Sequence, residues 1–171
     1  GRGAPVCLVA ALGVLLLFAA PTHAASGGPD AYGYTWADSS SGGPAYNYIV
    51  LSSAPLISLA DDGSSTVSIG FPFEFYGSTY SSVTIHANGG ISFGSTNSLP
   101  YSNLCPLMSS SVPNLVAPFW DDLNPASLTN LGGIYAGTTP DSSGNQVFVV
   151  EWWMIEHYST SGLFFSDHVT L

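Results

Sequence analysis

Hydrophobic and polar positions alternate with a period of two through most of the chain beyond residue 45, the signature of half-buried β-strands. Ser65 to Ile69 alternates polar and apolar. Phe71-Pro72-Phe73-Glu74-Phe75 keeps that period and puts three Phe on one face. Pro72 has no N–H to give a ladder, so this segment is expected at a sheet edge or a bend. Val83 and Ile85 alternate with Thr84 and His86, and Ile91 and Phe93 repeat the pattern after Asn88-Gly89. That dipeptide accepts the positive φ of a tight hairpin turn. Tyr46 to Leu51 is β-branched and aromatic, and Leu115 to Trp120 is a short apolar run interrupted by Pro118. Ile134 to Ala136 follows a Gly-Gly pair, Val147 to Ile155 is the longest candidate, and Phe164 to Leu171 is its expected hairpin partner. The pattern predicts an all-β fold, an antiparallel β-sandwich of about eight short strands.

Alternation places Phe148, Val150, Trp152 and Met154 on one face of the longest strand, the expected core face. Val149, Glu151, Trp153, Ile155 and His157 fall on the other, with Trp153 expected to be exposed. Glu151 and Glu156, five apart, should then point to opposite faces.

The first 24 residues differ from everything after them. Val6 to Ala20 is an uncharged apolar run after the single basic residue, Arg2, and Pro21 ends it. Such a run is short for a membrane span of about 20 residues. With small residues at Thr22 and Ala24 it has the three parts of a secretory signal peptide, whose helix would precede the sandwich. Cleavage is expected after Ala24, with Ala25 as the alternative, which makes the protein secreted, extracellular or displayed at a cell surface. Residues 25–45 are rich in Gly, Ser and Pro and read as a lead-in to a domain over 46–171. The first residue is Gly and the last ones stop in mid-alternation, so the chain reads as part of a longer polypeptide with further domains.

Composition narrows the partners. Arg2 is the only Lys or Arg against eleven Asp and Glu, and the net charge is −10. A chain that loses Arg2 has no fixed cation with which to displace counterions from phosphates, which argues against nucleic acid and anionic membranes. Apolar residues reach 46%, enough for a packed core. Cys7 leaves with the leader; Cys105 is then either a half-buried small hydrophobe or the partner of a cysteine beyond Leu171.

No catalytic constellation stands out. There is no G-x-S-x-G elbow and no phosphate-binding glycine loop followed by Lys. His86, His157 and His168 are too scattered for a zinc signature. Asp61-Asp62-Gly63 and Asp121-Asp122-Leu123-Asn124 offer hard oxygen ligands to calcium, or equally the turn-forming side chains of loops. Tyr32, Tyr34, Trp36 and Trp153 are the aromatic candidates for a protein or glycan surface, and core packing explains them equally well.

Several of these segments together carry a resemblance. Phe71 to Gly77, Asn88-Gly89-Gly90-Ile91-Ser92-Phe93, Leu115-Val116-Ala117-Pro118-Phe119-Trp120-Asp121-Asp122, Gly133-Ile134-Tyr135 and Phe148 to Trp152 occur in the order that resembles the extracellular nidogen-type (NIDO-like) β domain. The lead-in, Gly28 to Tyr34 with Trp36 and Asp38, looks like a segment preceding such domains in bacterial secreted proteins. The resemblance covers about residues 28–171 and implies a non-catalytic accessory module for adhesion, protein interaction or spacing. An accessory domain of a secreted hydrolase, its catalytic residues beyond Leu171, and a carbohydrate-binding module are the alternatives. No resident cofactor is implied, calcium aside.

Overall fold

The computed structural model describes residues 26–51, 54–104, 111–127 and 131–171. The leader with Ala24 and Ala25, and Cys105, lie outside them. The chain divides into two compact units, Gly1–Tyr46 and Asn47–Leu171.

In the first unit, β1 (Ser26–Gly27) pairs antiparallel with β2 (Trp36–Ala37). Two carboxylates organise the intervening and following turns. Asp30 Oδ1 accepts the N–H groups of Tyr32 and Tyr34, each at 2.9 Å. Asp38 caps the 3-10 turn Ser39–Ser41 by accepting from Ser40 and Ser41.

The second unit is all-β and every strand pairing in it is antiparallel. One sheet has the order β3 (Ser64–Phe75), β4 (Ser78–His86), β5 (Gly90–Ser92), β6 (Leu115–Val116). The other has the order β7 (Gly133–Pro140), β8 (Gln146–His157), β9 (Thr160–Thr170). Their facing sides share one core. Ile69, Val83, Ile85, Ile91 and Phe93 come from the first sheet and its ends, Ile134, Phe148, Val150, Trp152 and Ile155 from the second. This is a β-sandwich. Two hydrogen bonds tie the layers directly: the Trp152 indole N–H donates to His86 O at 3.0 Å, and the Thr138 hydroxyl to Ile69 O at 3.1 Å.

Several expectations hold, and their physical reasons are visible. β3 is an edge strand, and its pairing with β4 is interrupted between Ser68 and Phe73, where Gly70 takes φ 91° and Pro72 falls. Pro72 therefore costs the ladder no hydrogen bond. Phe73, Phe75 and Tyr80 converge on the fully buried Phe93, with ring centroids 5.3, 4.7 and 5.2 Å away. Beyond β6 the chain leaves the sheet at Pro118, so the apolar run 115–120 supplies only two ladder residues. Trp120 instead donates its indole N–H to Pro100 O at 2.7 Å.

The structure departs from the sequence reading at three places. Tyr46 to Leu51 is not a strand. Leu51 spends its backbone N–H on the Glu151 carboxylate, at 3.0 Å, rather than on a ladder. The turn after β4 has three residues, Ala87 to Gly89, and only Gly89 has a positive φ, 78°. A Cβ on Gly89 would lie 1.8 Å from Phe119 O, so this position needs glycine for space as well as conformation. The third departure is in β8. Met154 sits at φ 50° and the pairing with β9 shifts between Trp152 and Ile155. This bulge reverses the alternation. Ile155, fully buried, takes the core place expected for Met154, and Glu156 falls on the same side as Glu151.

Candidate functional site

The turn between β4 and β5 holds a buried polar side chain with three hydrogen bonds. Asn88 is fully buried. Its Oδ1 accepts the Leu123 N–H at 3.0 Å, while Nδ2 donates to Leu99 O at 3.0 Å and to Asp62 Oδ1 at 2.6 Å. One side chain thus pins three loops that are distant in sequence. The sequence reading took Asn88 as a turn former only; a buried Asn beside a tight glycine was the available signal.

Through Asn88, Asp62 is held close to the residue preceding Leu123. Asp61, Asp62 and Asp122 each bring a carboxylate oxygen within 4.8 Å of the others. Burial pushes the Asp61 carboxyl up, and the charges of Asp62 and Asp122 push it further. Asp122 is likewise raised by burial, with Asp62 and Asp121 adding and His157 opposing. Asp61 Oδ1 is shielded and has no hydrogen-bond partner among the described residues. The trio offers hard, anionic oxygens suited to calcium, which takes 6–8 of them. One oxygen of Asp62 is already engaged by Asn88.

The other two residues of that expected set stand apart from the trio. Asp121 Oδ1 accepts the Asp122 N–H at 2.9 Å and lies 3.6 Å from His157 Nε2. Asn124 Oδ1 accepts the Ala126 N–H at 3.0 Å, a turn-forming bond. The four aromatic candidates also divide. Tyr32, Tyr34 and Trp36 belong to the first unit and are exposed, with Trp36 lying over Gly27. Trp153, 39% exposed, belongs to the second.

Trp153 borders a feature that sequence alone did not reveal. On the outer face of the three-stranded sheet, Tyr135, Glu151 and His168 lie side by side on β7, β8 and β9. The segment after Asn47 covers them, and a cleft of about 260 Å³ opens between Val50, Leu51, Tyr135, Glu151 and Trp153. A second cleft of about 410 Å³ shares Val50 and Leu51 and extends along Gly137 to Thr139. Glu151 is 1% exposed; its Oε2 accepts the Leu51 N–H, and its Oε1 has no partner among the described residues. Glu156, also buried, is satisfied instead: it accepts from the Ser127 hydroxyl and from the Gly162 N–H.

Two facing antiparallel sheets with loop-borne carboxylates define a β-sandwich module. More particularly, residues 33–171 match the model of the NIDO-related family, and the chain belongs to that family. No curated protein and no solved structure matches it. Among the described residues no helix is long and apolar enough to cross a membrane.

Proposed function

We propose that the chain is a non-catalytic binding or spacing module of a secreted or surface-displayed protein, acting through adhesion or protein interaction. The observation that carries this reading is the family match over residues 33–171. The chemistry of the surface supports it. A net charge of −10 with no Lys or Arg beyond Arg2 keeps the module soluble and selects against anionic partners. Two carboxylates serve the architecture: buried Glu156 fastens loops to β8, and exposed Asp62 with Asn88 fastens the turn.

Export and processing provide the test. The full chain, expressed in a host with a secretory pathway, should reach the medium or the cell surface and begin just after Ala24 or Ala25 by mass spectrometry. Retention inside the cell with Arg2 intact would refute it. Turnover of casein or soluble polysaccharides by the purified chain would refute the non-catalytic half.

A further inference from the structure

The cleft over Glu151 combines three features that a structural carboxylate does not need. Glu151 is 1% exposed, yet one of its two oxygens has no partner among the described residues. The chain has no Lys, and its single Arg lies in the leader, so no fixed cation from the sandwich can pair with it. The walls beside it are aromatic and reachable: Tyr135 and Trp153 line the cleft, with Val50 exposed at its rim. Tyr48 extends the aromatic surround, with its ring centroid 6.1 Å from Trp153 and 4.6 Å from His168.

We propose that this cleft binds a primary ammonium group, as carried by a lysine side chain of a partner protein. The inference rests on the protein-interaction reading above and names the chemistry of the partner. A buried anion recovers its lost solvation when an opposite charge is brought to it, which a sugar hydroxyl does not do. The faces of Trp and Tyr attract a cation electrostatically, and more so as water is excluded. Ammonium fits better than guanidinium because Leu51 N–H already occupies Oε2. A guanidinium fork engages both oxygens of a carboxylate, whereas an ammonium is a point charge satisfied by one. The four-carbon lysine stem packs along apolar surface while its charge reaches the polar end, here Val50, Leu51 and then Oε1.

The test is an NMR titration of the ¹⁵N-labelled full chain with an end-blocked Gly-Gly-Lys-Gly-Gly peptide, following the Trp153 indole N–H. Saturable shifts are expected there, at an affinity about tenfold or more above that of the norleucine peptide, which matches shape without charge. The arginine peptide should bind more weakly than lysine. Glu151→Gln keeps the acceptor for Leu51 N–H and should lose about tenfold or more in lysine affinity. Equal binding of lysine and norleucine peptides, arginine binding as tight as lysine, or Trp153 shifts produced by glucose or galactose but not lysine would each overturn the proposal. The peptide comparison uses the unaltered chain, so it stands even if Glu151→Gln fails to fold. A negative titration would leave the export result standing, and a failure of export would leave the titration's answer intact.

Discussion

Replacing His86 by Gln and following stability from neutral to acidic pH probes how the sandwich tolerates a buried imidazole. His86 has no exposed surface. Its Nε2 lies 2.9 Å from Ser92 Oγ, and the Ser92 hydroxyl is directed to Ser95 O at 3.3 Å. That leaves Nε2 as the donor and Nδ1 bare, with no partner among the described residues. Protonating Nδ1 would bury both a charge and an unsatisfied N–H. Burial accordingly lowers the His86 pKa from 6.5 to about 4. Between those values the unfolded chain holds a proton that the folded chain does not, so stability falls as pH falls through the window. The gap of about 2.5 pH units, at about 1.4 kcal/mol each, sets a ceiling of about 3.4 kcal/mol, of which about 2.5 kcal/mol is lost by about pH 4.5. In His86→Gln the side-chain amide can still donate to Ser92, and the titration is gone. Urea unfolding of both proteins at about pH 7 and about pH 4.5 should show the wild-type advantage shrinking by about 2.5 kcal/mol. Asp61 and Asp122, raised by burial, act in the opposite sense, gaining stability as pH falls. They are common to both proteins and cancel. An advantage that is the same at both pH values would refute the argument.

Asn88→Ala removes three hydrogen bonds of a fully buried side chain and leaves Leu123 N–H only its bond to Asp121 O; a loss of about 2–4 kcal/mol is expected by chemical denaturation, well beyond an ordinary surface substitution. Asp62→Asn keeps an acceptor for Asn88 and relieves repulsion on Asp61 and Asp122; in EDTA it should raise Tm slightly, by about 0.5 kcal/mol or less of stability, and a fall in Tm would show that the trio is mutually favourable. A chain processed after Ala24 or Ala25 contains no Lys or Arg, so trypsin should leave its mass unchanged even in denaturant; loss of the Gly1-Arg2 dipeptide, seen by mass spectrometry, would mean that Arg2 is retained.

The layers of the fold were legible because the inward and outward residues of β3, β4, β5 and most of β8 alternate cleanly. The segments that misled did so for tertiary reasons. Tyr46 to Leu51 has strand composition, but its hydrogen bonding goes to a side chain 100 residues away, which no local pattern encodes. The bulge at Met154 follows no local residue preference, since a Met at positive φ is unfavourable by itself and the pairing with β9 imposes it. For the sites, the two Asp-Asp pairs were visible as candidates, but only folding shows that Asp122 joins Asp61 and Asp62 while Asp121 and Asn124 turn away. Alternation placed Glu151 only on the face away from the expected core. Its place under the covering segment depends on Leu51, and the sequence holds no hint of that contact.

The bulge at Met154 gives β8 two phases of inside and outside joined at one residue. Up to Trp152 the even-numbered positions fill the core, and beyond the bulge the odd-numbered Ile155 does. A one-residue deletion at Met154 would close the bulge into plain alternation, leaving Ile155 two places after Trp152 and still facing the core, with Glu156 still on the outer side. Related chains should therefore be able to differ in length by this one residue without exchanging the inside and outside of the strand.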